Sequence, residues 1–253
     1  MSLNSISLIP LFIAFSGLNQ FFKPKHVPDT YSNQIGSIDP VPIDHSSWNA
    51  LLKVYVKNGR VAYNELKKAE SQLDKYLETL KKNHPDDAWS ESAALAFWIN
   101  AYNAFTIKMI LEHYPVSSIK DIHGGNPWDV LWIKIGKELY SLNQIENEII
   151  RVQFKEPRIH FALVCAAKSC PPLASVAFTS SNMESKLHQL TNSFLNDMTM
   201  NKISPSKLEL SQLFNWYAED FGDPIEFIQK YTDVKIQRKA TISFIEYDWS
   251  LNN

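Results

Sequence analysis

The stretch AALAFWINAYNAFTIKMILEH, residues 93–113, decides how this chain folds. It is apolar nearly all round, whereas a helix on a protein surface keeps one polar face. Ser90 precedes it as a helix-capping residue, and Pro115 follows it as a residue that ends helices. We therefore predict a long, buried helix at the centre of the domain. Its amides, Asn100 and Asn103, need hydrogen-bond partners there and are candidates both for bridging the backbone and for a substrate-binding role.

The rest of the chain divides into helical and strand patterns that follow one another without a repeated strand-helix-strand alternation. Helical spacing is found in His45 to Val56, Tyr63 to Lys82, Glu184 to Thr199 and Ser211 to Phe221, and strand patterns in Leu131 to Ile135, Glu138 to Leu142, Lys202 to Leu210 and Ala240 to Tyr247. These patterns predict an α+β fold, with a helical N-terminal half packed on a mainly antiparallel sheet. The predicted core includes Phe97, Ile99, Phe105, Phe161 and Leu163.

Composition excludes several classes of function. The 253 residues carry a formal charge of −2 and no run of Lys or Arg longer than two, so we expect no nucleic-acid partner. Only 7 glycines occur, with neither a GxGxxG nor a GxxxxGK[ST] pattern, so we expect no nucleotide cofactor. The length suits a single large domain, which we assign to residues 44–253.

The N-terminus resembles an export signal. Ile6 to Leu18 is an uncharged apolar run that ends with Ala14 and Ser16 at the spacing of a cleavage site before Gly17. We therefore predict a signal-like apolar segment, 1–18, with cleavage near Gly17, a linker, 19–43, and export to the periplasm or the extracellular space. The run is too short for a stable membrane span in the mature chain.

Both cysteines lie in the segment RIHFALVCAAKSCPPL, residues 158–173, together with His160. Its first eight residues have the pattern of a buried strand, in which His160 and Cys165 would point to opposite faces. Cys170 follows the small residues AAKS and is free to fold back over the His160 face. We therefore predict that Cys170 is a nucleophile whose thiolate is formed by His160, with Cys165 as the alternative.

Three other roles are open to these cysteines. Free cysteines are commonly buried as packing residues, and Cys165 and Cys170 are also close enough in sequence to form a disulfide. A zinc site would have only three ligands at uneven spacing, so we expect no metal.

Glu146 lies in SLNQIENEIIR, where a helix is predicted to begin. Asn143 as the cap, with Glu146 three residues later, has the spacing of a capping box, and Ser141 with Gln144 has the same spacing. A structural role for Glu146 at the helix end is therefore open.

From Trp48 to the end, the chain resembles the family catalogued as domain of unknown function 547. The resemblance rests on five blocks in order: WNALLKVYVKNGRVAYNEL, AFWINAYNAFTI, WIKIGKELYSLNQIENEIIR, RIHFALVCAAKSCPPL and YDWSLN. It implies a thiol enzyme distantly similar to cysteine peptidases, with a catalytic set of Glu146, His160 and either Cys165 or Cys170.

Two functions from different classes follow. The first is an acyl-transfer or hydrolytic enzyme acting on a small-molecule or peptide-like ligand, with its oxyanion bound by backbone N–H groups of AAKSC or by Asn100 or Asn103. The second is a non-catalytic module that binds a ligand or protein in an aromatic cleft around Trp98, Trp128 and Trp132, with buried or disulfide-paired cysteines.

Overall fold

A computed structural model describes residues 43–253 of the chain. The predicted export segment, 1–18, lies outside the described residues, as does the predicted linker, 19–43, apart from its last residue. The described residues form one compact unit.

Nine α-helices occur in the described residues, joined by shorter turns of 3₁₀-helix and one π-helical segment. They are α1 (Ser46–Tyr55), α2 (Tyr63–Lys68), α3 (Glu70–Lys82), α4 (Glu91–His113), α5 (Arg151–Phe154), α6 (Met183–Leu195), α7 (Leu213–Trp216), α8 (Ala218–Phe221) and α9 (Pro224–Ile228). The predicted helix over 63–82 is present but is interrupted at Ala69, between α2 and α3.

The strands of the described region form three small sheets. They are β1 (Val56–Lys57), β2 (Arg60–Val61), β3 (Ile133–Ile135), β4 (Glu138–Tyr140), β5 (Lys202–Ile203), β6 (Lys207–Leu210) and β7 (Thr241–Phe244). The pairs β1–β2, β3–β4 and β5–β6 are antiparallel, while β7 pairs with β6 in parallel after a connection that contains α7 to α9. The α+β class and the mainly antiparallel pairing are confirmed, but the single sheet that we predicted is wrong.

The helix α4 is the centre of the core, as its sequence predicts. Ser90 caps it by accepting a hydrogen bond from the Ala93 N–H at 3.3 Å, and nearly every side chain from Ala93 to Leu111 is buried. The predicted core residues Phe97, Ile99, Phe105, Phe161 and Leu163 are all buried. By length and composition α4 could also cross a membrane, but 89% of its most apolar window is buried inside the protein, as in the core helix of a globular domain.

The strand predicted over 158–165 is wrong. Residues Pro157–Phe161 form a 3₁₀-helix, with the Ala162 N–H donating to the Ile159 carbonyl at 2.8 Å. Pro157 provides a fixed φ at the first helical position, and the Glu156 carboxylate caps the turn by accepting from the Arg158 N–H. Local hydrogen bonds thus replace the strand pairing that the apolar pattern suggested. The prediction that His160 and Cys165 point to opposite faces assumed a strand, so it no longer applies.

Candidate functional site

A cavity of about 160 Å³ brings the four predicted catalytic side chains together. Glu146, His160, Cys165 and Cys170 all line it, although they come from three separate segments of the fold. The predicted substrate-binding residues are elsewhere: Asn100, Asn103 and Trp98 do not line this cavity. A larger cavity of about 340 Å³ is lined by Asp44 and His45, but no cysteine lines it.

Asn103 fixes the backbone that leads to Cys165. Its amide donates to the Ala162 carbonyl at 2.9 Å and accepts from the Val164 N–H at 2.9 Å. Asn100, one helical turn earlier, makes the corresponding pair of bonds to the carbonyl and N–H of Phe178, at 2.8 and 3.0 Å. Both buried amides therefore bridge backbone segments, and the Asn103 amide positions the cysteine loop.

The loop after Cys165 is held by the C-terminal segment. The Lys168 N–H donates to the Ser250 carbonyl at 2.8 Å, and the Asn252 N–H donates to the Ala166 carbonyl at 3.0 Å. Ala166, directly after Cys165, has a φ of 59°, a left-handed conformation that is costly for a residue other than glycine. The C-terminal pairing holds this strained turn in place.

The two cysteines are free thiols with different surroundings. Cys170 is buried, its sulfur accepts from the Cys165 N–H at 2.9 Å, and it lies 3.8 Å from the Leu163 carbonyl. Cys165 is partly exposed, and its sulfur lies 3.1 Å from the Tyr247 hydroxyl. Cys170 therefore stabilises the loop through these contacts, while Cys165 is the more exposed of the two residues.

The same contacts separate the acidity of the two thiols. A hydrogen bond from Cys170, helped by the Tyr247 hydroxyl and the Ala167 N–H, lowers the pKa of Cys165 against the opposing effect of its burial. Burial, together with the hydrogen bond to Cys165 and its charge, raises the pKa of Cys170 well above its ordinary value. Because the thiolate is the nucleophilic form, this difference favours Cys165.

Asp220 is the carboxylate that orients His160. The imidazole Nε2 lies 2.7 Å from Asp220 Oδ2, and Arg151 holds both oxygens of the same carboxylate at 2.6 and 2.8 Å. Burial raises the pKa of Asp220, but hydrogen bonds from Arg151 and His160 outweigh it, so the net shift is downward. An ionised Asp220 can only accept a hydrogen bond, so Nε2 of the neutral ring carries the hydrogen and Nδ1 is the basic atom.

Burial keeps this imidazole neutral near pH 7. It lowers the pKa of His160, although the charge of Glu146 and the bond to Asp220 act in the opposite direction. The ring is also stacked on Tyr217, with centroids 3.9 Å apart. His160 is therefore a fixed, unprotonated base at the cavity wall.

Glu146 lies in the π-helical segment Gln144–Ile150 and is 5% exposed. No hydrogen bond joins it to His160 within residues 43–253. The carboxylate instead acts on two phenols: burial and then the charge of Glu146 raise the pKa of both Tyr102 and Tyr217. The expectation that Glu146 orients the imidazole is thus met by another residue, Asp220.

The helix cap is formed by the alternative pair. Gln144 Oε1 accepts from the Ser141 N–H, and Ser141 Oγ accepts from the Gln144 N–H, both at 3.1 Å. Asn143 makes no cap and instead donates to Asp129. The Asn143–Glu146 capping box is therefore wrong, and Glu146 is left free of that structural role.

Aromatic side chains form the rim of the cavity. Trp249 lies at their centre, with ring centroids 5.7 Å from Trp128, 5.7 Å from Trp216 and 4.6 Å from Tyr247. Of the predicted aromatic cleft, only Trp128 lines this cavity. Trp132 packs against Phe105, and Trp98 against Phe97 and Tyr140.

Sequence reasoning missed Arg151, Asp220 and Tyr247, together with the rim residues Trp216, Tyr217 and Trp249. Arg151 and Tyr247 fall inside blocks of the family resemblance, which could have drawn attention to them. Asp220 lies outside those blocks, in an ordinary acidic stretch of helix. Within residues 43–253, no group of three His, Cys, Asp or Glu side chains is arranged to hold a metal ion.

Comparison with known proteins gives one match. No curated protein and no solved structure matches the chain. A family model described as "Protein of unknown function, DUF547" matches residues 87–195, a range that includes α4, Glu146, His160 and both cysteines. This match supports the resemblance of residues 87–195 to the DUF547 family of proteins of unknown function.

Proposed function

We propose that the protein is a thiol-dependent acyl-transfer or hydrolytic enzyme with Cys165 as its nucleophile. The observation that carries the proposal is the environment of the Cys165 sulfur. Cys165 is a partly exposed residue at a cavity, its sulfur is 3.1 Å from the Tyr247 hydroxyl, and its pKa is lowered, while Cys170 is buried with a raised pKa. Such a microenvironment is typical of reactive rather than structural cysteines.

His160 is the general base in this proposal. Its Nδ1 accepts the Cys165 proton while Nε2 stays bonded to Asp220, so the ring becomes an imidazolium that the carboxylate stabilises. The thiolate attacks the carbonyl carbon of the substrate, and the carbonyl π electrons move to oxygen. When the tetrahedral intermediate collapses, His160 returns the proton to the leaving group, and a thioester remains on Cys165.

The second half of the reaction uses the same groups. His160 removes a proton from water or from an acceptor nucleophile, which attacks the thioester carbonyl and releases the Cys165 thiolate. The oxyanion is bound by the Ala166 N–H, which has no hydrogen-bond acceptor within the described part of the chain. The amides of Asn100 and Asn103 are already bonded to the backbone and do not take this role.

An activated ester tests the proposal. The purified chain, incubated with p-nitrophenyl acetate, should release a burst of nitrophenolate and gain one acetyl group on Cys165, detected by peptide mass spectrometry. Cys165→Ser should abolish the burst, whereas the matched variant Cys170→Ser should still be acetylated at Cys165. No acetylation in the native chain, or an equal burst from Cys165→Ser, would contradict the proposal.

The aromatic rim favours a second candidate, a non-catalytic binding module. In this case a ligand would bind against Trp128, Trp216 and Trp249 without any covalent reaction at the thiols. Saturable ligand binding by a chain that is never acylated would favour this function.

A further inference from the structure

The cavity wall combines aromatic rings with a single buried carboxylate. Its aromatic side chains are Tyr102, Trp128, Trp216, Tyr217, Tyr247 and Trp249. Glu146 lines the same cavity and is 5% exposed. Of the described residues that line it, none is Lys or Arg.

Two cations lie near the cavity, and neither lines it. The Arg151 guanidinium lies 5.3 Å from the centroid of the Tyr217 ring and interacts with the charge of Glu146, but its two charge-assisted hydrogen bonds to a carboxylate are made outside the cavity, to Asp220. Lys120 Nζ lies 5.1 Å from the centroid of the Trp249 ring. The Trp249 ring of the rim thus already contacts an ammonium group with the geometry of a cation-π interaction.

Ligand charge decides what this cavity accepts. A neutral ligand would offer no charge to compensate the buried carboxylate of Glu146, and an anion would be repelled. An ammonium group would form an ion pair with Glu146 and would contact the electron-rich ring faces. We propose that the cavity binds an organic cation, with Glu146 as its counter-ion and Trp128, Trp216, Tyr247 and Trp249 as its aromatic walls.

The size of the cavity limits this ligand to a small group. About 160 Å³ is less than the roughly 300–1,000 Å³ of pockets that enclose a drug-sized molecule. An alkylated ammonium head group is of the appropriate kind. If Cys165 is the nucleophile, then the acyl substrate carries its cationic group next to the reacting carbonyl, and this part of the assignment rests on the proposed function.

Titration with a cation and its neutral isostere tests the proposal. Choline and 3,3-dimethyl-1-butanol have the same shape and differ in charge, and the rim tryptophans report binding through their fluorescence. We expect saturable quenching by choline with a Kd on the order of 1 mM and at least about tenfold weaker binding of the neutral alcohol. Equal affinity for both ligands, or no saturation by choline at about 50 mM, would overturn the proposal.

Two variants link the binding to named residues. Glu146→Gln keeps the shape and removes the charge, so choline affinity should fall about tenfold or more while the alcohol is unaffected. Trp216 is 46% exposed, so its substitution should leave folding intact; Trp216→Ala should weaken choline binding and Trp216→Phe should restore part of it. If Glu146→Gln does not fold, the comparison of Trp216→Ala with Trp216→Phe decides alone. Unchanged choline affinity in Trp216→Ala would then contradict the proposed site.

Measurement in Cys165→Ser separates this inference from the proposed enzyme. Choline binding should persist in that variant because it needs no thiol. Binding without acylation of the native chain would support the cation site and contradict the enzyme. Acylation of Cys165 without charge-dependent binding would support the enzyme and contradict the cation site.

Discussion

The Tyr247 hydroxyl lies 3.1 Å from the Cys165 sulfur, across 82 residues of sequence. The C-terminal segment makes this contact possible because it pairs with the loop after Cys165, through the Lys168 N–H and the Asn252 N–H. A phenol in this place donates a stronger hydrogen bond to the thiolate than to the thiol, so it stabilises the charged form. In the proposed mechanism, the reactivity of Cys165 therefore depends on this C-terminal segment.

Tyr247→Phe removes that donor. We expect the pKa of Cys165 to rise by about one unit, since a hydrogen bond to a charged group contributes roughly 1.5–3 kcal/mol and the other two donors remain. The pH profile of Cys165 alkylation by iodoacetamide measures this shift. Tyr140→Phe, at a phenol outside the cavity, is the matched control and should leave the profile unchanged. An unchanged profile in Tyr247→Phe would remove Tyr247 from the site.

Asp220→Asn should disable the base without removing it. The asparagine cannot stabilise an imidazolium, and the imidazole loses the bond that leaves Nδ1 unprotonated. We expect the acylation rate of Cys165 to fall by about 10²–10⁴-fold. Glu219→Gln, at the exposed neighbouring carboxylate, should retain the native rate. Comparable rates in the two variants would show that Asp220 does not act through His160.

Asn100 and Asn103 provide a matched pair that separates stability from reactivity. Either change to alanine leaves one buried carbonyl and one buried N–H without partners, so each should lower the free energy of unfolding by about 2–5 kcal/mol. Only Asn103→Ala loosens the backbone next to Cys165. We expect it alone to slow alkylation of the folded protein. Urea unfolding and alkylation kinetics on both variants test this, and equal slowing would contradict the positioning role of Asn103.

Acid should destabilise the fold through buried neutral histidines. Burial lowers the pKa of His45 from 6.5 to about 4, with its Nδ1 2.7 Å from the Tyr76 hydroxyl. His45 of the unfolded chain therefore binds a proton near pH 6.5, whereas His45 of the folded chain binds it only near pH 4. Stability from this group is complete above pH 6.5 and is lost as the pH falls toward 4, by about 3 kcal/mol in all. His160, with its lowered pKa, acts in the same direction.

The variant His45→Gln should flatten this dependence. Urea unfolding at pH 7 and pH 4.5 measures it, with His84→Gln, at an exposed histidine, as the control. The same loss of stability in His45→Gln as in the native chain would show that other groups control the acid response.

The fold class could be predicted from sequence because its strongest signals are local. The buried helix α4 follows from an apolar stretch with a capping residue and a proline, and the β3–β4 hairpin follows from alternation across Gly136-Lys137. The 158–165 segment could not be predicted in the same way. An apolar run does not distinguish a strand from a buried turn, and the partner that decided its geometry, Asn103, lies 59 residues away in sequence.

The site was predicted only in part for the same reason. His160 and the cysteines are close in sequence and rare in type, so they were found, and the structure brings them to one cavity with Glu146. Asp220 and Tyr247 are common residue types, 60 and 82 residues from the groups that they contact. Their roles depend on tertiary packing, for which one sequence carries no signal.

The most direct test of the account is to map which cysteine reacts with iodoacetamide in the folded chain between pH 6 and pH 8. We predict carbamidomethylation of Cys165 well below its ordinary pKa of about 8.5, slowed by His160→Ala, with Cys170 labelled only after unfolding. Label on Cys170 before Cys165 in the folded protein, or no label on either thiol until denaturation, would contradict the account.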